Sequence, residues 1–150
     1  MSMDNEMQVF YRILQKFRRI NWGSELTAMT QAEFVAITTI RSLHAAHPDK
    51  PGVYVSALAE ELMISVSMVS KILKVLEEKG WILRTVDPDS RRNTFVSLTE
   101  SGRALHDREA QLANVLNQRV MARMGKERVE RLIQDAEELA KCYESELGTL

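Results

Sequence analysis

The sequence predicts a mainly helical chain with one small β-hairpin, an α+β fold of six helices, and three observations carry that expectation. Apolar residues recur at helical spacing in six separate stretches. Strand-like composition gathers in two neighbouring runs, 81–86 and 94–98, parted by the turn-forming Asp87-Pro88-Asp89-Ser90. Of the 150 residues, 45% are hydrophobic but only 6% aromatic, so a packed core is within reach and aliphatic side chains with methionine must fill it.

The elements follow in order. Residues 4–22 set Met7, Phe10, Tyr11, Leu14 and Phe17 at helical spacing after Asp4, an expected N-cap, and 23–29 read as a connection. Thr30-Gln31-Ala32-Glu33 has capping-box spacing, in which hydroxyl and carboxylate each satisfy an amide of the first turn. Phe34, Ile37, Ile40 and Leu43 then share one side of a second helix. His47-Pro48 and Pro51-Gly52 end it, because proline has no amide hydrogen and disfavours a helical predecessor. Val53-Tyr54-Val55 reads as one short strand. Ser56 is expected to cap a short helix with Leu58, Ala59 and Leu62 inward, ending near Met63. Ser65 caps the next, whose inward positions are Val69, Ile72, Leu73 and Leu76, with Gly80 as its terminator. After the hairpin, Thr99 opens a long helix to about Met124 and Gly125 breaks it. A last helix, from about Lys126 to Leu147, repeats Val129, Leu132, Ile133, Ala136, Leu139, Ala140 and Tyr143.

Several function classes fall away. The single cysteine, Cys142, allows no internal disulfide and no multi-cysteine zinc site. No glycine-rich phosphate loop follows a strand, and neither HExxH nor GxSxG spacing occurs, so no catalytic residue, cofactor or metal is expected. His44 and His47 share a metal-bridging spacing, but Pro48 marks a helix end beside them. Asp4 and Glu6 stand where a signal peptide needs an apolar run, and no apolar stretch approaches 18 residues, which points to the cytoplasm and away from membranes.

Net charge is −1, yet it is unevenly spread. Lys71, Lys74, Lys79, Arg84, Arg91 and Arg92 fall within 71–92, whereas the last 25 residues are acidic. Two short helices joined by a tight turn and followed by a hairpin make a winged helix-turn-helix. At about 100° per residue, inward Val69, Ile72, Leu73 and Leu76 leave Ser67, Lys71 and Lys74 outward, with Met68 and Ser70 flanking them. Small and basic residues on such a face suit DNA: short side chains let a helix sink into the major groove, and lysines displace condensed counterions. Arg91 and Arg92 at the hairpin tip suit the backbone or the adjacent minor groove. Taken singly, each feature is ordinary solvent decoration, and winged helices also serve as protein-interaction modules.

Leu58-Ala59-Glu60-Glu61-Leu62, Ile64-Ser65-Val66-Ser67-Met68-Val69-Ser70-Lys71, Leu76-Glu77-Glu78-Lys79-Gly80-Trp81, Asp87-Pro88-Asp89-Ser90-Arg91-Arg92 and Val96-Ser97-Leu98-Thr99-Glu100-Ser101-Gly102 together resemble the multiple-antibiotic-resistance regulator (MarR) family. The resemblance implies one domain over 1–150, with a winged helix-turn-helix at about 53–98 and a dimerisation region formed by about 4–22 plus 99–147. It further implies a homodimeric, sequence-specific regulator, most often a repressor, on a pseudo-palindromic operator with half-sites about 10 base pairs apart. The terminal helices support a dimer independently, since they carry more apolar surface than a chain this size covers alone. The alternative is packing of those helices within a monomer.

On this reading Ser65, Ser67, Met68, Ser70, Lys71, Lys74, Arg91 and Arg92 contact DNA. Two positions depart from the family pattern. An Asp two residues before a wing Arg is usual there, but Ser90 precedes Arg92 at that distance, leaving Asp89 to pair with Arg91, which it precedes by two, or with Arg92 in a shifted turn. Met68 stands where a polar residue is usual. The resemblance also implies a small, often aromatic, anionic effector, with Tyr11, Trp22, Arg41 and His44 on the helices near its cleft. A constitutive DNA binder without an effector is the alternative.

Overall fold

A computed structural model describes residues 3–20 and 28–149. Among them the order is α1 (Met3–Arg19), α2 (Gln31–Ala46), β1 (Val53–Tyr54), α3 (Val55–Glu61), α4 (Val66–Glu78), β2 (Ile82–Asp87), β3 (Ser90–Leu98), α5 (Glu100–Met124) and α6 (Lys126–Leu147). The expected mainly α fold with a small β-wing is therefore present. The chain divides inside α5, between Glu109 and Ala110, into two units. No described helix is long and apolar enough to cross a membrane.

The first unit is built on one core. Ala36, Ile37 and Ile40 of α2, Leu58 and Ala59 of α3, Val69, Leu73 and Leu76 of α4, and Ile82, Val96 and Leu98 of the sheet are all buried together. Each follows the apolar periodicity of its element, because burying that face is the main favourable contribution to folding. The sheet is antiparallel in the order β1-β3-β2, with Val53 opposite Val96 and Ile82 opposite Leu98.

The capping box of α2 forms as expected. Glu33 N–H donates to Thr30 Oγ1 (3.3 Å), and Thr30 N–H donates to Glu33 Oε2 (2.9 Å). Three expected boundaries move. Helix α1 starts at Met3, so Asp4 lies within its first turn rather than at its cap. Helix α3 starts at Val55 with Tyr54 as a cap lacking any side-chain bond, so Ser56 caps nothing and the strand is two residues long. The cause is tertiary: β1 is held only opposite Val96 and Phe95, and the chain turns at once into α3. The third is the end of α3, at Glu61 rather than Met63, with Met63 in the left-handed region at φ 53°.

Both helices of the helix-turn-helix end in the same paired-bond motif. After α3, Met63 N–H donates to Glu60 O and Ile64 N–H to Ala59 O, both at 3.1 Å. After α4, Gly80 N–H donates to Glu77 O and Trp81 N–H to Leu76 O, both at 2.9 Å. This geometry needs a left-handed residue, and Gly80 (φ 73°) supplies it without a Cβ penalty. The start of α5 packs closely under the hairpin. A Cβ on Gly102 would stand 2.1 Å from Trp81 O, so only glycine fits that approach.

In the second unit, Gly125 separates α5 from α6 and α6 buries none of its residues. Leu112, Val115, Leu116 and Val120 of α5 and Leu132, Ile133 and Leu147 of α6 are exposed.

Candidate nucleic-acid interface

Helix α4 is fixed at both ends and along its inner face. At its start the Ser65 hydroxyl accepts from Met68 N–H (3.2 Å), and Val69, Leu73 and Leu76 anchor it in the core. At its end Lys79 donates to Glu33 Oε1 (2.7 Å) and lies over the Trp81 ring, 4.6 Å from its centroid. Arg84 of β2 then clasps Glu77 through Nε (2.9 Å) and Nη2 (2.7 Å), tying wing to helix.

The outer face is as periodicity predicts. Ser67, Met68, Lys71 and Lys74 are exposed and Ser70 is half-buried. Lys74 stands 3.9 Å from Glu78 one turn on, an exposed pair of little strength. Of the six cations between 71 and 92, Lys79 and Arg84 are thus committed to internal pairs. Lys71, Arg91 and Arg92 have no carboxylate partner among the described residues, which leaves their charge directed at solvent.

The wing is narrower at its turn than expected. The strands run to Asp87 and from Ser90, so only Pro88 and Asp89 turn. Asp87 pairs with Ser90 while Val86 pairs with Thr94, a register shift that leaves Arg91, Arg92 and Asn93 as a bulge. All three are exposed, so the bulge places both arginines at the tip. The expected pairing of Asp89 with Arg91 or Arg92 is not formed among the described residues; the Asp89 amide instead donates to Asp87 Oδ1 (2.9 Å). Asp87 is only 5% exposed and also accepts from the Tyr54 hydroxyl (2.7 Å). That hydrogen bond, with burial and the Asp87 charge, pushes the Tyr54 phenol above its ordinary value. The Tyr54 ring stacks on Phe95 with centroids 4.4 Å apart, so the anchor joins all three strands.

A second feature of the first unit lies between α2 and the start of α5. A cavity of about 350 Å³ is bordered by Arg41 and His44 of α2 and Arg103 and Asp107 of α5, with Pro48 and Leu98 as apolar walls. Arg41 pairs with Asp107 and also donates to Nδ1 of the buried His106 (3.1 Å). His106 Nε2 donates to the Thr38 hydroxyl (2.9 Å), which in turn donates to Phe34 O (2.8 Å). This chain of bonds fixes a neutral imidazole. Burial first, and Arg41 second, hold its pKa below the ordinary histidine value, with Asp107 opposing. His44 Nε2 donates to Lys50 O (3.0 Å). Of the four residues expected near an effector, Arg41 and His44 therefore border one cavity. Tyr11 is exposed on α1 and not among its walls, and Trp22 lies outside the described residues.

Periodicity missed Arg103, His106 and Asp107 because nothing local links them to α2, which lies more than 60 positions earlier. It also missed Asp87, although a carboxylate beside a proline turn is a signal that could have been followed.

Comparison with known proteins agrees with this architecture. The family model described as "MarR family" matches residues 29–94. The transcriptional regulator HosA of Escherichia coli O111:H- is 24% identical over 129 residues, spanning 85% of this chain and 90% of that protein. Among solved structures, the PcaV transcriptional regulator of Streptomyces coelicolor in complex with its natural ligand superposes with a TM-score of 0.75 at 17% identity, over 94% of this chain and 96% of that one. A mutant MarR of E. coli complexed with operator DNA gives a TM-score of 0.75 at 23% identity, over 93% and 99%.

Proposed function

We propose that the chain is a transcriptional regulator of the MarR family and not an enzyme, and that it acts as a homodimeric, ligand-responsive repressor that binds double-stranded DNA. The observation that carries the reading is a set of unpaired cations on two rigidly joined elements. Lys71 on the outer face of α4 and Arg91 and Arg92 on the bulged wing tip have no internal partner, while the Arg84–Glu77 clasp fixes one element against the other. Such an array suits a polyanion: α4 enters the major groove with Ser65, Ser67, Met68, Ser70, Lys71 and Lys74, and the wing holds the backbone. Structural relatives bound to operator DNA support this reading.

The homodimer is supported by exposed apolar residues on the terminal helices: Val9, Ile13, Leu14 and Phe17 on α1, Val115 and Val120 on α5, and Leu132 and Ile133 on α6. Apolar surface of this extent marks an interface. The dimerisation region is then about 4–22 plus 99–147, and the winged helix about 53–98, within a single functional domain over 1–150. A dimer sets two α4 helices on half-sites about one turn of DNA, roughly 10 base pairs, apart.

The effector is a small anion bound at the cavity between α2 and α5. Its volume of about 350 Å³ suits a small molecule, and Arg41 and Arg103 supply the positive charge. A carboxylate there competes with Asp107 for Arg41, and because α2 packs on α3 and α4, a shift of α2 changes the freedom of the DNA-reading helix.

Fluorescence-anisotropy titration with duplex from upstream of the protein's own gene, at two salt concentrations and against unrelated competitor, tests the core of this reading. Tight, salt-sensitive binding that resists the competitor is expected. Failure to bind that site or any duplex in a random pool would move the function to protein interaction.

A further inference from the structure

Two apolar side chains stand in the open where α4 begins. Val66 is 52% exposed and Met68 49%, and neither is surplus core, because the inner face of the helix is already filled by Val69, Leu73 and Leu76. At about 100° per residue they flank Ser67 on either side within the first turn. The Ser65 hydroxyl, bonded to Met68 N–H, fixes the direction in which that turn points.

We propose that Val66 and Met68 read thymine methyl groups, so that operator choice is set in part by the pyrimidine C5-methyl rather than by polar base edges alone. This rests on the DNA-binding reading above and names what that surface recognises. First-turn residues of a recognition helix are those that reach base edges. The one apolar group that unmodified DNA offers on the major-groove edge is the thymine methyl; cytosine presents a bare C5–H there. Lys71 on the same helix and Arg91 and Arg92 on the wing are unpaired, so the occupant of this face is a polyanion and not an apolar peptide. The two side chains also differ usefully. Val66 is β-branched and stiff, which selects one methyl position, whereas the unbranched thioether of Met68 adapts to more than one.

The test uses the full chain to select duplexes from a random pool, then compares each retained sequence with its counterpart carrying deoxyuridine for thymine. That exchange removes only the methyl and leaves base pairing and charge unchanged. The expected result is thymines shared among the retained half-sites and an affinity about fourfold lower for each contacted methyl removed. Met68→Asn and Val66→Ser should each abolish the thymine-over-uracil ratio at one position and lower the affinity for the thymine duplex to that of its uracil counterpart. Both side chains are exposed, so unchanged urea midpoints will show that the variants fold. Equal affinity for thymine and uracil duplexes, or variants that keep the wild-type ratio at every position, overturns the inference while leaving DNA binding intact. If no duplex is retained, the DNA-binding reading falls and this inference with it.

Discussion

The Tyr54 hydroxyl donates a 2.7 Å hydrogen bond to Oδ2 of Asp87, joining the strand before the helix-turn-helix to the tip of the wing across 33 positions. The other carboxylate oxygen accepts the Asp89 amide at 2.9 Å, so both are engaged in a site that is nearly closed to solvent. This anchor lies inside the sheet, where the family resemblance leads one to expect a surface ion pair to an arginine. Arg91 and Arg92 are consequently left unpaired at the tip.

Tyr54→Phe removes the donor and leaves a buried carboxylate with one bond fewer. A lower urea midpoint is expected, because the carboxylate keeps its desolvation cost and loses one of its donors. Urea denaturation measures the loss, and amide exchange should show it concentrated in β2 and β3. A variant as stable as the parent would mean that Asp87 is held by its turn alone.

His106 makes stability depend on pH. The unfolded chain takes up a proton near the ordinary value of 6.5, while burial and Arg41 hold the folded imidazole below it. Its contribution is therefore complete above that value and is lost as the pH falls below it toward the lower folded value. In urea melts between pH 7 and 5, His106→Gln should lose stability less steeply than the parent. Parallel slopes would assign the acid sensitivity to other groups.

Met63 carries a left-handed backbone at a position where its side chain is 92% exposed. The Cβ costs roughly 1–2 kcal/mol there, and glycine avoids that cost at the expense of a more flexible unfolded chain. Met63→Gly should raise stability by about 0.5–1 kcal/mol, and Met63→Val should lower it. Thermal melts of the pair give the sign directly.

Arg92 at the bulged tip is assigned to the DNA backbone. Arg92→Ala should weaken binding to all duplexes about equally and make the salt slope shallower by about one unit. Anisotropy titrations at several salt concentrations, on the preferred and a random duplex, test both points. A loss confined to the preferred sequence would assign Arg92 to base reading instead.

Much of the fold was legible in the sequence because its signals are local. The capping box at Thr30 and Glu33, the terminator Gly80, the turn at Pro88 and the inward stripe of α4 each lie within a few residues of one another. The face of α4 opposite that stripe followed by arithmetic, and with it Ser67, Lys71 and Lys74. What could not be read locally was the partner of each charged group. Lys79 and Arg84 look no different from Lys71 and Arg91 in the sequence, yet Glu33 and Glu77 take up the first two.

The sequence by itself determined the order and type of the elements, since helical and strand periodicities are properties of the chain. Tertiary structure alone decided three things: the start of α3 at Val55, the bulge that exposes Arg91 and Arg92, and the convergence of Arg41, His106 and Asp107. Each depends on a contact between residues distant in the chain. Pairing with β3 ends β1 at Tyr54, the Val86–Asp87 register shift creates the bulge, and packing of α5 on α2 brings His106 to Arg41. Local propensity holds no record of such contacts, because the free energy that fixes them is gained only when the distant segments meet.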